Sequence, residues 1–127
     1  MPKLLFGGMK ELASVKHVEQ RSRFFARLYE IGSPGDMEEI LKFHRREHKK
    51  ANHHCWAMRL NGEEKSKDDG EVGHPGKVLL EILKKHSLGS HALVVSRVFG
   101  GVKLGVGGVS RAFREAGEGV VQSSLAD

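Results

Sequence analysis

The stretch His91-Ala92-Leu93-Val94-Val95-Ser96-Arg97-Val98-Phe99-Gly100-Gly101-Val102-Lys103-Leu104-Gly105-Val106-Gly107-Gly108-Val109-Ser110-Arg111 decides the fold. Its opening run, His91 to Arg97, is nearly continuous and apolar, the pattern of a central strand buried on both faces. A turn with five glycines between positions 100 and 108 follows. Val109, Ala112, Phe113, Ala116 and Val120 then recur at helical spacing. Gly117 and Gly119 weaken the second half of that helix. A buried strand feeding a glycine-rich turn and a helix is a unit of an α/β layer.

Outward from this unit the other elements read as follows. Met9 to Val18 alternates weakly and predicts an edge strand. Arg23 to Ile31 alternates better, with Ser22, Phe24, Ala26 and Leu28 on one side and Phe25, Arg27, Tyr29 and Ile31 on the other. The turn cluster Gly32-Ser33-Pro34-Gly35 precedes a helix in which Met37, Ile40, Leu41 and His44 share a face. Asp36 is placed to cap it and Glu39 to complete a capping box. Cys55 to Leu60 reads as a strand ending at the turn Asn61-Gly62. Glu63 to Asp69 is polar and predicts an exposed loop. Pro75-Gly76 opens a second helix with Leu79, Ile82, Leu83 and His86 on one face, and Gly89 ends it or follows its end. The order strand, strand, helix, strand, helix, strand, helix predicts an α/β fold with one sheet covered by helices.

The 127 residues correspond to one domain, 1–127, with a core of about 10–122. Lys and Arg number 21 against 16 Asp and Glu, a formal charge of +5, which suits a polyanionic partner. One cysteine excludes an internal disulfide framework and a Cys-only zinc site. No apolar run approaches membrane-span length, and the N-terminal MPKLLFGGMK is too short in apolar residues for a signal peptide. The expectation is a soluble, cytoplasmic protein with no membrane partner. No metal and no cofactor is expected.

Three groups of residues carry candidate chemistry. At the glycine turn, free N–H groups at a helix start favour an anion, and Arg97, Lys103 and Arg111 supply charge. Gly100, Gly101, Gly105, Gly107 and Gly108 allow close approach of a phosphate; tight turns with solvated side chains explain the same pattern. The spacing is neither a Walker A loop nor a dinucleotide fingerprint. In Ala51-Asn52-His53-His54-Cys55-Trp56-Ala57, strand alternation puts His53 and Cys55 on one face, as a Cys–His nucleophilic pair would require. A buried cysteine beside hydrogen-bonded histidines fits equally. Asp68, Asp69 and Glu71 precede a helix start, where capping, ion pairing or a polar site with the basic turn are all open. Arg45, Arg46, Lys49 and Lys50 close the first predicted helix; they form a second basic surface or a solvated, dipole-compensating helix end.

Asp68-Asp69-Gly70-Glu71, the block Val94 to Phe113, Ala51-x-His53-x-Cys55-x-Ala57 and Ser22-Arg23-Phe24 together closely resemble the signature of the Impact N-terminal domain (YigZ-like) family. The resemblance implies a two-layer α+β sandwich similar to domain 2 of ribosomal protein S5, with a mixed sheet of about four strands and helices on one face. Bacterial members carry a further C-terminal ferredoxin-like domain and the eukaryotic member an RWD domain; this chain looks like a stand-alone, single-domain member. The eukaryotic member regulates translation, a role that also involves its RWD domain, and nucleic-acid binding is proposed from the fold. Hence the expected function is an RNA- or translation-machinery-binding module, more a binder than an enzyme. Lys103, Arg97 and Arg111 would meet phosphates beside the N–H groups of Gly107 and Gly108. The alternatives are an enzyme or anionic-ligand binder built on His53, Cys55, Asp68, Asp69 and Arg97, and a protein-interaction domain. The chain departs from the family pattern after Glu71. Val72 replaces a Pro, the segment is one residue shorter, His74 and Pro75 stand for Thr and Ala, and Val78 replaces a Pro. Val98 replaces the usual Tyr.

Overall fold

The structure is a computed structural model and describes residues 3–6 and 9–126. Its elements are β1 (Lys3–Phe6), β2 (Met9–Glu19), β3 (Ser22–Glu30), α1 (Asp36–Glu47), β4 (His53–Leu60), β5 (Glu63–Lys67), α2 (Pro75–Lys85), β6 (His91–Val98) and α3 (Gly105–Leu125). The strands form one sheet in the order β1-β2-β3-β6-β4-β5. The α/β class holds, with differences in the sheet. It has six strands rather than about four, and every pairing is antiparallel, so it is not mixed. Strands β3 and β4 flank β6 and run parallel to each other, so α1 is a crossover connection.

The helices lie on both faces of the sheet, not one. On the first face, Leu79, Ile82 and Leu83 of α2 and Phe113, Ala116 and Val120 of α3 pack on Phe24, Ala26, Leu28, Cys55, Leu93 and Val95. On the second, Met37 and Ile40 of α1 pack on Tyr29, Ile31, Met58, Ala92 and Val94. The alternation read in β3 therefore separates two cores rather than a core and a solvent face. Central strand β6 is buried from Ala92 to Arg97, as its apolar run predicts.

Three local expectations change. Strand β2 is an edge only beyond Glu11, because β1 pairs with Met9, Lys10 and Glu11 at its start. Residues Glu63–Lys67 are a strand, although every one of them is exposed. They lie at the sheet edge, where ladder hydrogen bonds to β4 suffice and charged side chains guard the free edge. The Asn61-Gly62 turn adopts positive φ at both residues, 51° and 81°, as a two-residue hairpin requires. Finally, Asp36 is the first residue of α1, not its cap, and no side-chain cap bond forms. Its carboxylate turns back and accepts the N–H groups of Gly32 (2.8 Å) and Ser33 (3.0 Å), closing the preceding turn.

Gly117 does not break α3. A Cβ there would stand 2.8 Å from Ile82 Cδ1, so the missing side chain lets α3 press onto α2.

The second core contains a polar chain. The Tyr29 hydroxyl and His44 Nε2 are 2.9 Å apart. His44 Nδ1 lies 2.9 Å from Ser96 Oγ, and the same hydroxyl lies 2.7 Å from His54 Nδ1. His44 is fully buried. Burial first, and then the charge of Arg27, hold its imidazole well below the usual histidine range. His48 is pushed down to about 4, by burial and then by Arg27. Such groups stay neutral in the folded chain while the unfolded chain takes up protons below about pH 6.5, so stability is lost as pH falls. His44 alone contributes a loss of about 1.4 kcal/mol per pH unit below that point. Urea denaturation between pH 7.5 and 5.0 is expected to show a steadily falling midpoint, with a shallower slope for His44→Gln. A midpoint constant across that range contradicts the assignment.

Candidate functional site

One end of the sheet gathers nearly every residue singled out above. At this end β6 finishes and β3 and β4 begin, since Arg23 pairs with Val98 and His53 with Arg97. The connections on either side are stitched to one another. Phe99 N–H donates to Asn52 Oδ1 (2.8 Å), Asn52 N–H to the Arg97 carbonyl (2.8 Å), and Gly100 N–H to Ser22 Oγ (3.2 Å). A methyl group on Gly100 would overlap the backbone of Arg21 and Ser22. Gly101 and Gly105 have φ of +90° and +75°, the region only glycine enters freely. These three glycines are thus required by backbone geometry.

Arg97 sits at the centre of this end. Its side chain is 7% exposed and donates to Glu71 Oε2 at 2.9 Å, while the Glu71 side chain is 4% exposed. It also donates to Ser22 Oγ at 3.3 Å and lies over the rings of Phe24 and Phe99. The expected phosphate fork is therefore engaged inside the protein. Asp68 and Asp69 are engaged as well. Asp68 Oδ1 accepts the Gly76 N–H (2.9 Å) in the first turn of α2, and Asp69 Oδ2 accepts the His54 N–H (2.8 Å). His53 Nδ1 donates to the Asp69 carbonyl at 2.8 Å. Capping and ion pairing account for these contacts of the acidic motif.

Cys55 is fully buried, and its thiol donates to the Asp68 carbonyl at 3.1 Å. Burial, reinforced by Glu71, Asp69 and Asp68, raises its pKa far above the ordinary thiol value. A thiol held protonated is a poor nucleophile. The residues expected to converge do converge, but they bond to each other. The altered positions follow suit: His74 takes a left-handed conformation before α2, Pro75 begins the helix, and Val78 enters the core.

The exposed basic residues do not share one surface. Arg111 shares a hollow of about 230 Å³ with Gly108, Gln20, Leu104 and Ala112, and also with Glu19 and Glu115. Its lining carries one guanidinium and two carboxylates, so its charge is not net positive. Lys103 is exposed beside it. Gly107 leaves room for Arg111, whose Nη1 lies 3.3 Å from where a Cβ would be. Gly108 is the fourth residue of α3 and its N–H belongs to the helix; the free donors are those before it.

The second hollow, about 450 Å³, lies between the end of α1 and the sheet. Arg23, Arg46, Lys49 and Lys50 line it with Phe25, His48 and Val98, against the single carboxylate of Glu47. None of these four cations has a carboxylate partner within 4.0 Å among the described residues. The surface read as secondary is thus the stronger cationic cleft, while Arg45 lines a different hollow with Trp56. Phe25 was legible only as a strand residue, and Arg23 only as that and as part of the family's opening-strand motif. Nothing in the spacing signals that they meet the tail of α1 across the sheet.

One group of metal-ligand type occurs among the described residues. His17, Glu19 and Glu115 place one ligand atom each within 4.8 Å of one another. It is a partly solvated polar contact between β2 and α3, with Glu115 57% exposed.

Fold and site together define an antiparallel α/β domain with a cationic cleft at one end of its sheet. The Impact N-terminal domain model matches residues 20–121, and the chain belongs to this family. It is 36% identical over 109 residues to the IMPACT family member YvyE of Bacillus subtilis, covering 83% of this chain and 50% of that protein. To the IMPACT family member YigZ of Escherichia coli it is 34% identical over 119 residues, covering 87% and 57%. The chain therefore spans about half the length of the curated relatives it matches. One solved structure, described as a hypothetical protein, superposes with a TM-score of 0.82 at 28% identity, over 87% of this chain and 56% of that one. Another, the two-domain translational regulator Yih1, gives 0.53 at 25% identity, over 96% and 49%. Among the described residues, no helix is long and apolar enough to cross a membrane.

Removing one partner of the Arg97–Glu71 pair strands a buried charge or donor, at a cost of about 3–5 kcal/mol. Glu71→Gln and Arg97→Met are each expected to lower the denaturation midpoint sharply. The double variant should lose less than the sum of the two. Simple additivity in this double-mutant cycle contradicts the coupling.

Proposed function

We propose that this chain is an RNA-binding module of translation regulation, acting in the cytoplasm, and that the cleft between α1 and β3 is its phosphate-binding surface. The observation that carries the reading is the charge of that cleft: four cations, unpaired among the described residues, against one carboxylate in a hollow of about 450 Å³. Clustered Lys and Arg without carboxylate partners are the electrostatic footprint of a polyanion site. Lys103 is exposed in the turn at the same end of the sheet but does not line this hollow. Family membership and the likeness to a translational regulator support the choice of RNA on the translation machinery over other polyanions. The expected chemistry is contact with phosphates, which positions the strand and carries little sequence information.

The test is fluorescence anisotropy of labelled RNA at several salt concentrations. Binding is expected to weaken steeply with salt, with a slope set by the number of phosphates neutralised. Replacing Arg46, Lys49 and Lys50 by Ala should lower affinity by at least 10-fold and reduce the slope by about two to three. Lys84→Ala, at the far end of α2, should leave both unchanged. Equal loss from Lys84→Ala, or no loss from the triple variant, overturns the assignment of the site.

A further inference from the structure

The cationic cleft contains one feature that phosphate binding does not use. Phe25 points from β3 onto the face shared with α1, and its ring stacks on His48 at 4.2 Å with 20° between the planes. The guanidinium carbon of Arg23 lies 5.9 Å from the same ring. Both rings line the hollow alongside Arg46, Lys49 and Lys50. Phe25 is only half-buried, although its strand neighbours Phe24 and Ala26 are wholly buried. The Phe25 ring is thus partly exposed in the wall of a cationic hollow, outside both core clusters.

Its position has a structural cause. Helix α1 ends at Glu47, so it covers the sheet over Tyr29 and Val94 and stops short of Arg23 and Val98. Lys16 and Val18, the register partners of Phe25 and Arg23, are exposed on the next strand. The uncovered corner is a patch of sheet with an aromatic ring, flanked by cations on the strand and on the helix tail. Val98, opposite Arg23, adds apolar wall.

We infer that this corner binds single-stranded RNA, with an unpaired base stacked in the Phe25–His48 hollow and its flanking phosphates on Arg23, Arg46, Lys49 and Lys50. The inference rests on the RNA reading above and adds the state of the strand. In a duplex the base faces are occupied by their neighbours and closed to a side chain. A single strand exposes them, and any base has a face to offer, so the site tolerates sequence. Phe25 and its neighbour His48 present a platform while the cations track the backbone, the two parts a non-specific single-strand site needs. The volume, about 450 Å³, lies within the range of small-ligand sites, enough for one nucleotide unit.

The experiment compares a 12-nucleotide uridine oligomer with a 12-base-pair RNA duplex in the same buffer, by anisotropy. The full chain is used in parent, Phe25→Leu and Phe25→Trp forms, together with the Arg46/Lys49/Lys50 triple variant. The parent is expected to prefer the single strand. Phe25→Leu keeps apolar bulk but has no ring, and should lose about 10-fold for the single strand with duplex binding unchanged. Phe25→Trp should restore it. Circular dichroism melts check that each variant is folded, and Phe25→Trp keeps the test open if Phe25→Leu is not. Salt-sensitive binding lost in the triple variant, but indifferent to Phe25 and equal for both RNAs, overturns this inference and leaves the phosphate reading standing. No RNA binding at physiological salt overturns both.

Discussion

The buried ion pair between Arg97 and Glu71 organises the end of the sheet where the cleft lies. Arg97 is the penultimate residue of the central strand, and Glu71 belongs to the connection before α2. Their 2.9 Å contact ties these together, and the second arm of Arg97 reaches Ser22 at the start of β3. Ser22 in turn accepts Gly100 N–H, fixing the glycine turn. A buried pair is favourable only when its remaining donors and acceptors are met. Glu71 Oε1 accepts the Val72 N–H at 3.0 Å, so the carboxylate is met on both oxygens. The aromatic faces of Phe24 and Phe99 close over the guanidinium, whose Nε has no hydrogen-bond partner among the described residues. The acidic motif is therefore a clasp: Asp68 holds α2, Asp69 holds β4, and Glu71 holds β6.

Asp69 and Glu71 are engaged with partners inside the protein, while Arg23, Arg46, Lys49 and Lys50 have no carboxylate partner among the described residues. This division concentrates the excess cations of a chain of formal charge +5 into a strongly basic corner. It also separates the roles of the glycines. Gly100 lets two backbones touch, Gly101 and Gly105 supply positive φ, and Gly107 makes room for Arg111. A glycine-rich segment before a helix resembles a phosphate loop in composition, but here most of its glycines answer to backbone geometry.

The elements whose signal is local were legible in the sequence. The buried run from Ala92 to Arg97, the helical spacing of Leu79, Ile82 and Leu83, and the Asn61-Gly62 hairpin all depend on neighbours within a few residues. The strand Glu63–Lys67 was not, because its only partner is β4 and its side chains carry no apolar alternation. The same limit applied to the site. Lys49 and Lys50 were visible as a basic run, yet a helix end compensating its dipole gives the same run. Phe25 looked like an ordinary strand residue, and Arg23 like that and part of the family's opening-strand motif.

By itself the sequence determined which residues form the central strand and its helices, and the motifs it carries identify the family. It also determined that the acidic and glycine segments flank that strand. Only the tertiary structure decided that helices cover both faces, that Arg97 is spent on Glu71 rather than on a ligand, and that α1 stops short of Phe25. The reason is that periodicity reports which face of an element is buried, whereas pairing partners, and the gap one element leaves over another, depend on contacts between residues distant in the chain. Arg23 and Lys49 are 26 positions apart in the sequence, and only the crossover from β3 through α1 brings them to one cleft.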